Sequence, residues 1–137
     1  MKSNKKYWVR SNIQTIKAKP SESEKREIAD SFVLLFESFK KQYISKTPNK
    51  EYNYTVDIYS KWYQNYFYLC EKIEPGRLNN LIEGVEKKFV RLTYTGKNKF
   101  DLSYFRHTGQ WELVTQDLTL DECKEMILSV PVFHPIG

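Results

Sequence analysis

The sequence contains few of the residues on which catalytic and metal sites are most often built: two cysteines, two histidines and five glycines. Cys70, Cys123, His107 and His134 lack the close pairs that preorganise structural zinc, and no local signature supports a Cys/His nucleophile pair. No G-x-G-x-x-G or G-x-x-x-x-G-K motif occurs, and so few glycines leave little material for a phosphate-binding loop. We therefore predict no catalytic residue, no metal and no cofactor, which favours a non-enzymatic function.

Long apolar runs are also missing from the chain. No stretch approaches the roughly 18 uninterrupted apolar residues of a membrane helix. The polar start, Met1 to Lys6, is not followed by the apolar run of a signal peptide. We therefore expect a cytoplasmic protein with no membrane partner. In a reducing compartment Cys70 and Cys123, each inside an apolar segment, are expected to be buried thiols.

The positive charge is concentrated at the start of the chain. Within the formal net charge of +5, residues 1–20 contribute six basic and no acidic side chains, whereas residues 21–137 hold the other 16 of the 22 basic and all 17 acidic ones. A basic segment on a neutral body indicates nucleic-acid binding less specifically than a uniformly basic fold, since such segments are often simply solvated. Its phosphate-binding candidates are Lys5, Lys6, Trp8 and Arg10.

The length of 137 residues and the 40% hydrophobic content fit one domain with one core. Residues 1–20 are predicted to form a basic N-terminal segment that docks as a strand, because Lys6 to Lys17 is rich in strand formers. Pro20 then ends this segment, since proline fixes its own backbone dihedral. Residues 21–137 are predicted to form a single α+β domain.

Two helices are predicted from capping boxes and apolar periodicity. Ser21 and Glu24 have capping-box spacing, and apolar residues recur at three- and four-residue intervals over 28–43, which predicts a long helix of about six turns. Thr119 and Glu122 form a second capping box, which predicts a short helix to about Ser129, followed by an extended tail.

Fourteen of the 21 aromatic side chains lie between Tyr52 and Trp111, mostly in runs where every second residue is apolar, as in strands. Residues 54–63 and 66–73 are predicted to form a hairpin that turns at Gln64 and Asn65, although positions 58, 62, 65 and 69 also fit helical spacing. Residues 89–95, 100–104 and the segment from Trp111 to Leu113 are predicted to form a meander with one dry and one wet face.

This element order predicts an α+β fold: a long N-terminal helix packed on an antiparallel sheet of about five strands, followed by a short C-terminal helix. A curved sheet wrapped around a long helix, as in cystatin-like or related rolls, satisfies the order with short connections. The comparison concerns architecture alone.

The candidate functional surface is one face of the first hairpin. Tyrosine combines a large contact area with a hydroxyl that tolerates water, so a tyrosine-rich face suits a protein partner or self-association as a homodimer. Basic residues beside the rings also suit single-stranded nucleic acid, whose bases stack on aromatic side chains. The alternative is that a helix, the leading strand or the tail covers this face. Strand alternation places six residues on it: Tyr59, Lys61, Tyr63, Tyr66, Tyr68 and Lys72.

A third hypothesis places a small-ligand pocket or an enzyme site between the long helix and the sheet. Its candidate groups are Asp57, Glu71 and His107. The carboxylates Asp57, Glu71 and Glu74 lie on the first hairpin and could converge, and general acid–base catalysis requires a pocket that shifts the pKa of one of them. The sequence favours a binding module with a protein partner over the nucleic-acid and pocket hypotheses.

Overall fold

The computed structural model describes residues 19–78 and 83–135. Two helices, α1 (Glu22–Ser31) and α2 (Val33–Tyr43), precede five strands, and a third helix, α3 (Leu120–Ser129), follows them with a 3-10 turn (Pro131–Phe133). The strands are β1 (Tyr54–Tyr63), β2 (Tyr66–Glu74), β3 (Val85–Gly96), β4 (Lys99–Phe105) and β5 (Trp111–Leu118). They pair antiparallel in chain order, which confirms the predicted α+β fold and the five-stranded sheet.

The predicted N-terminal strand in residues 1–20 lies outside the described residues, apart from Lys19 and Pro20. The phosphate-binding candidates in that segment, Lys5, Lys6, Trp8 and Arg10, therefore also lie outside the described part of the chain. Within the described ranges, none of the helices has the length and apolar character that crossing a membrane requires.

Both predicted capping boxes are present. The Ser21 hydroxyl accepts a hydrogen bond from the Glu24 backbone N–H at 3.0 Å, and the Glu24 carboxylate accepts one from the Ser21 N–H at 2.9 Å. Thr119 and Glu122 exchange the same two hydrogen bonds at 3.2 and 2.8 Å. These bonds satisfy amides that have no partner inside the helix, so α1 and α3 begin where the sequence predicts.

The long N-terminal helix is not continuous, contrary to the sequence prediction. Phe32 separates α1 from α2, with φ of −91° and ψ of −1°, and its N–H donates to the Ala29 carbonyl at 3.1 Å. The Phe32 side chain is fully buried, and its ring centroid lies 5.0 Å from that of Phe67. The apolar stripe continues through both helices, so the spacing of apolar residues did not show the break.

The first hairpin has the predicted strands and turn. Residues 54–63 and 66–74 pair with each other, and Gln64 adopts a positive φ of 54° at the two-residue turn. The alternative helical interpretation of residues 57–71 is therefore wrong. The meander also forms, but β3 begins at Val85, four residues before the predicted start at Phe89.

All three helices pack on the same face of the sheet. Apolar side chains fill this interface, and each large one contributes roughly 1.5 to 3 kcal/mol when fully buried. The end of the chain takes part: the tail that was expected to be extended begins with the 3-10 turn, and its Phe133 is fully buried in this core. The buried core includes Phe32, Phe36 and Phe39 from the helices, Phe67, Leu69, Val90, Leu92, Phe100 and Leu102 from the sheet, and Cys123 and Ile127 from α3.

Candidate functional site

The strand register places the six candidate residues of the first hairpin on the sheet face opposite the helices. Cross-strand partners share a face, and three pairs carry the aromatic set: Tyr59 with Cys70, Lys61 with Tyr68, and Tyr63 with Tyr66. Lys72 follows by alternation. The core residues Ile58, Phe67 and Leu69 alternate with them and point to the helices. Because no described helix packs on this second face, we call it the open face.

The later strands extend the aromatic surface across the sheet. Trp111 of β5 lies between the rings of Tyr68 and Phe105, with centroid distances of 5.7 and 5.1 Å. Tyr66 and Tyr68 are 6.0 Å apart. The aromatic surface therefore runs from β1 to β5 and is not limited to the first hairpin.

Trp111 and Leu113 lie on the open face, whereas the sequence predicted them on the dry face of the meander. Trp111 pairs with Phe105 and Leu113 with Ser103, while Thr115 pairs with the core residue Leu102. The register shifts between these positions, so one extra residue moves the start of β5 to the opposite face. The alternation of apolar and polar residues in the sequence does not reveal a bulge of this kind.

Arg91 of β3 lies at the centre of the open face. Its guanidinium carbon is 4.8 Å from the centroid of the Tyr66 ring and 4.9 Å from that of Trp111. Its Nε is buried without a hydrogen-bond partner among the described residues. Two aromatic rings thus hold one cation in place, and each such contact contributes about 0.5 to 2 kcal/mol.

Glu86 organises a second polar cluster on the same face. The Tyr59 hydroxyl donates to its carboxylate, and the amines of Lys61 and Lys88 lie 3.0 and 3.4 Å from it. The hydrogen bond from Tyr59, followed by those from the two lysines, lowers the pKa of Glu86 to about 2. Burial and this carboxylate raise the pKa of Tyr59, so Tyr59 remains a neutral donor.

The two cysteines have the environments of structural thiols. Both are fully buried and free. Burial raises the pKa of Cys70 to about 11 and that of Cys123 to about 12, which keeps both sulfurs protonated at neutral pH. Because the thiolate is the nucleophile, neither residue has the properties of a reactive cysteine.

The histidines occupy separate regions. His107 is exposed in the β4–β5 turn. His134 anchors the tail, since its Nε2 lies 3.0 Å from the Leu128 carbonyl and its Nδ1 lies 2.6 Å from the Tyr43 hydroxyl. The Leu128 carbonyl can only accept a hydrogen bond, so Nε2 of His134 is the donor. With the proton on Nε2, Nδ1 of the neutral ring accepts the hydrogen bond from the Tyr43 hydroxyl.

The carboxylates of the pocket hypothesis have individual partners. Asp57 lies 3.5 Å from the Lys40 amine of α2. Glu71 is fully buried and accepts a hydrogen bond from Thr55 at 2.8 Å, while Glu74 lies at the end of β2. In the described ranges, no group of three or more His, Cys, Asp or Glu side chains has a metal-binding arrangement.

The open face carries an excess of positive charge. The cations Lys61, Lys72, Lys88, Arg91 and Lys99 accompany the carboxylates Glu86 and Asp101 on strand positions that point to this side. A third carboxylate, Asp57, pairs with α2 instead.

The aromatic and aliphatic residues of the open face differ in exposure. Tyr63 is 60% exposed and Leu113 50% exposed, whereas Tyr68 is only 9% exposed because its neighbours and Lys88 cover it. The sequence identified the tyrosines but missed Arg91, Lys88, Glu86, Phe105 and Trp111. The pairing of β2 with β3, once known, brings Arg91 opposite Tyr68.

Comparison with protein families matches residues 34–134 to the family described as Domain of unknown function (DUF3024). The matched segment runs from α2 through the whole sheet to the anchored tail, and so includes every described residue of the open face. No curated protein and no solved structure matches the chain.

Proposed function

We propose that this chain, which belongs to the family described as Domain of unknown function (DUF3024), is a non-enzymatic binding module that docks an acidic protein partner on its open face. The observation that carries the proposal is an aromatic and cationic sheet face on which no described helix packs. Tyrosine, tryptophan and arginine are the residues that contribute most often to binding energy at protein interfaces.

The charge of the face supports an acidic partner over a second copy. A two-fold dimer through this face would bring the cations of one copy against those of the other, with fewer carboxylates than cations on each side. Like charges that face each other across an interface are unfavourable, whereas an acidic surface is complementary to the same residues.

The packing of the rings supports a protein partner over single-stranded nucleic acid. Base stacking requires ring faces that a base can reach. The rings of Tyr66 and Trp111 are occupied by Arg91, and Lys88 covers Tyr68. The basic residues 1–20 of the sequence favour nucleic acid, so this second candidate is included as an outcome of the test.

The test measures fluorescence anisotropy of a labelled peptide of alternating valine and glutamate with the full-length chain. Lys72→Glu, on the open face, is compared with Lys41→Glu, which makes the same charge change on an exposed position of α2. We expect the peptide to bind and Lys72→Glu to weaken it several-fold, while Lys41→Glu leaves its Kd within about twofold. Equal weakening by the two variants, or no binding, contradicts the proposal.

Two further measurements test the other possible partners of the open face, which are single-stranded nucleic acid and a second copy of the chain. Binding of labelled oligothymidylate that falls steeply with salt, with no binding of the acidic peptide, assigns the chain to nucleic acid and overturns the proposal. Such binding must also weaken when residues 1–6 are deleted if the basic segment holds the phosphates. A dimer in sedimentation equilibrium that Lys72→Glu dissociates assigns the face to a second copy and likewise overturns it.

A further inference from the structure

The central strand β3 extends beyond its neighbour β4. Strand β3 has twelve residues and β4 has seven, and their pairing begins at Val90 opposite Tyr104. Residues 85–88 therefore pair with β2 on one edge and with no described strand on the other, and Phe89 is the bulged residue between Lys88 and Val90. Alternate residues of such a segment direct N–H and C=O groups to the unpaired edge.

A groove of about 500 Å³ lies at this free edge. Its apolar lining consists of Ile73, Val85, Phe105 and Trp111, and its charged lining consists of Lys87 and the ion pair of Lys88 with Glu86. At about 3.3 Å per residue, four residues of β3 offer an edge about 13 Å long, enough for a short added strand. The groove is continuous with the open face, because Trp111 belongs to both.

We infer that an extended segment of the acidic partner adds to the sheet as a short strand along residues 85–88, with apolar side chains on the side of the open face against Phe105 and Trp111 and carboxylates on the opposite side against Lys87. The inference rests on the proposed function, in that the partner is an acidic protein, and it specifies how that partner binds. In this mode backbone hydrogen bonds supply affinity and side-chain pockets supply specificity.

The groove differs from the outer edges of the sheet. Strands β1 and β5 form those edges in the described part of the chain. At the β3 edge, by contrast, Phe105 at the end of β4 and Trp111 at the start of β5 provide an aromatic wall, and Lys87 provides a positive charge, so a bound strand meets both an apolar and a charged complement. Glu86, the carboxylate of the groove, is already bound by Tyr59, Lys61 and Lys88.

The experiment uses three versions of one peptide of alternating valine and glutamate, about seven residues long. The first is unmodified, the second is N-methylated at every other residue, and the third is N-methylated throughout. The side chains and charge are identical. Strand addition uses the N–H groups of one edge of the peptide, so the second version retains a usable edge and the third retains none.

We expect the unmodified and alternately methylated peptides to bind with similar Kd, and the fully methylated peptide to bind roughly tenfold more weakly or worse, because the backbone hydrogen bonds are lost. In nitrogen-15 NMR of the full chain, amide shifts should centre on residues 85–88 and on Trp111. Equal binding of all three peptides, a stepwise loss across them, or shifts centred on β1 or the outer edge of β5 overturns the inference but leaves the proposed function intact. Absence of binding by the unmodified peptide contradicts both.

Discussion

Replacing Glu86 with glutamine tests the polar cluster that fixes the arrangement of the open face. The hydrogen bonds from Tyr59 and the two lysines lower the pKa of Glu86 from 4.5 to about 2. At about 1.36 kcal/mol per pKa unit, this shift sets an upper limit of about 3 kcal/mol. The side chain is 26% exposed, and solvent screening of a partly exposed ion pair reduces the expected contribution to about 1 to 2 kcal/mol.

The direction of the pH dependence follows from the linkage between protonation and folding. A carboxyl group whose pKa is lower in the folded state stabilises the fold above its unfolded pKa, and that stabilisation is lost as the pH falls through the folded pKa. Urea denaturation should therefore show Glu86→Gln less stable than the original chain by about 1 to 2 kcal/mol at pH 7. The difference should shrink from about pH 4.5 and vanish near pH 2.

The matched control is Glu27→Gln, at an exposed position of α1. An exposed substitution is expected to change the free energy of unfolding by less than about 0.5 kcal/mol at either pH. If Glu86→Gln and Glu27→Gln follow the same pH dependence, the carboxylate of Glu86 does not stabilise the fold through its three partners, and the reasoning is refuted.

Three further predictions concern the core and the helix ends. Cys70 and Cys123, whose pKa values burial raises to about 11 and 12, should resist a disulfide reagent at pH 8 in the native chain and react in denaturant; rapid native labelling would contradict their burial. Phe133→Ala should lower the free energy of unfolding by about 3 to 5 kcal/mol, whereas Val132→Ala, at a 44% exposed position, should change it by less than about 0.5 kcal/mol; similar losses in urea denaturation would show that Phe133 does not anchor the tail. Ser21→Ala should destabilise α1 by about 1 kcal/mol and Ser21→Gly by only a few tenths, and thermal unfolding that does not separate the two variants would argue against the capping box.

The fold was more predictable from the sequence than the candidate site, for a physical reason. Residues 90–95 of β3 and 100–104 of β4 alternate between apolar and polar side chains because the helices cover one face of these strands, and this alternation is visible in the sequence. The charged run Glu86-Lys87-Lys88 shows no such alternation, so the extension of β3 before Phe89 was missed. Its position in the sheet depends on pairing with β2.

The site depends on contacts between strands that no local pattern contains. Arg91 meets Trp111 although they belong to β3 and β5, with β4 between them. The contact requires the register of two strand pairs and the bulge at the start of β5. Sequence alternation therefore identified the tyrosines of one hairpin, but it gave no indication of the arginine that they hold.

The order of the strands in the sheet is the order of the strands along the chain, and this has a consequence for assembly. Closing a loop costs conformational entropy that grows with the length enclosed, and only two residues separate β1 from β2 and β3 from β4. The longest connection, between Glu74 and Val85, is still short. The sheet can therefore be assembled one hairpin at a time, and the larger entropic cost falls on bringing α1 and the anchored tail, from distant parts of the sequence, onto a surface that is already ordered.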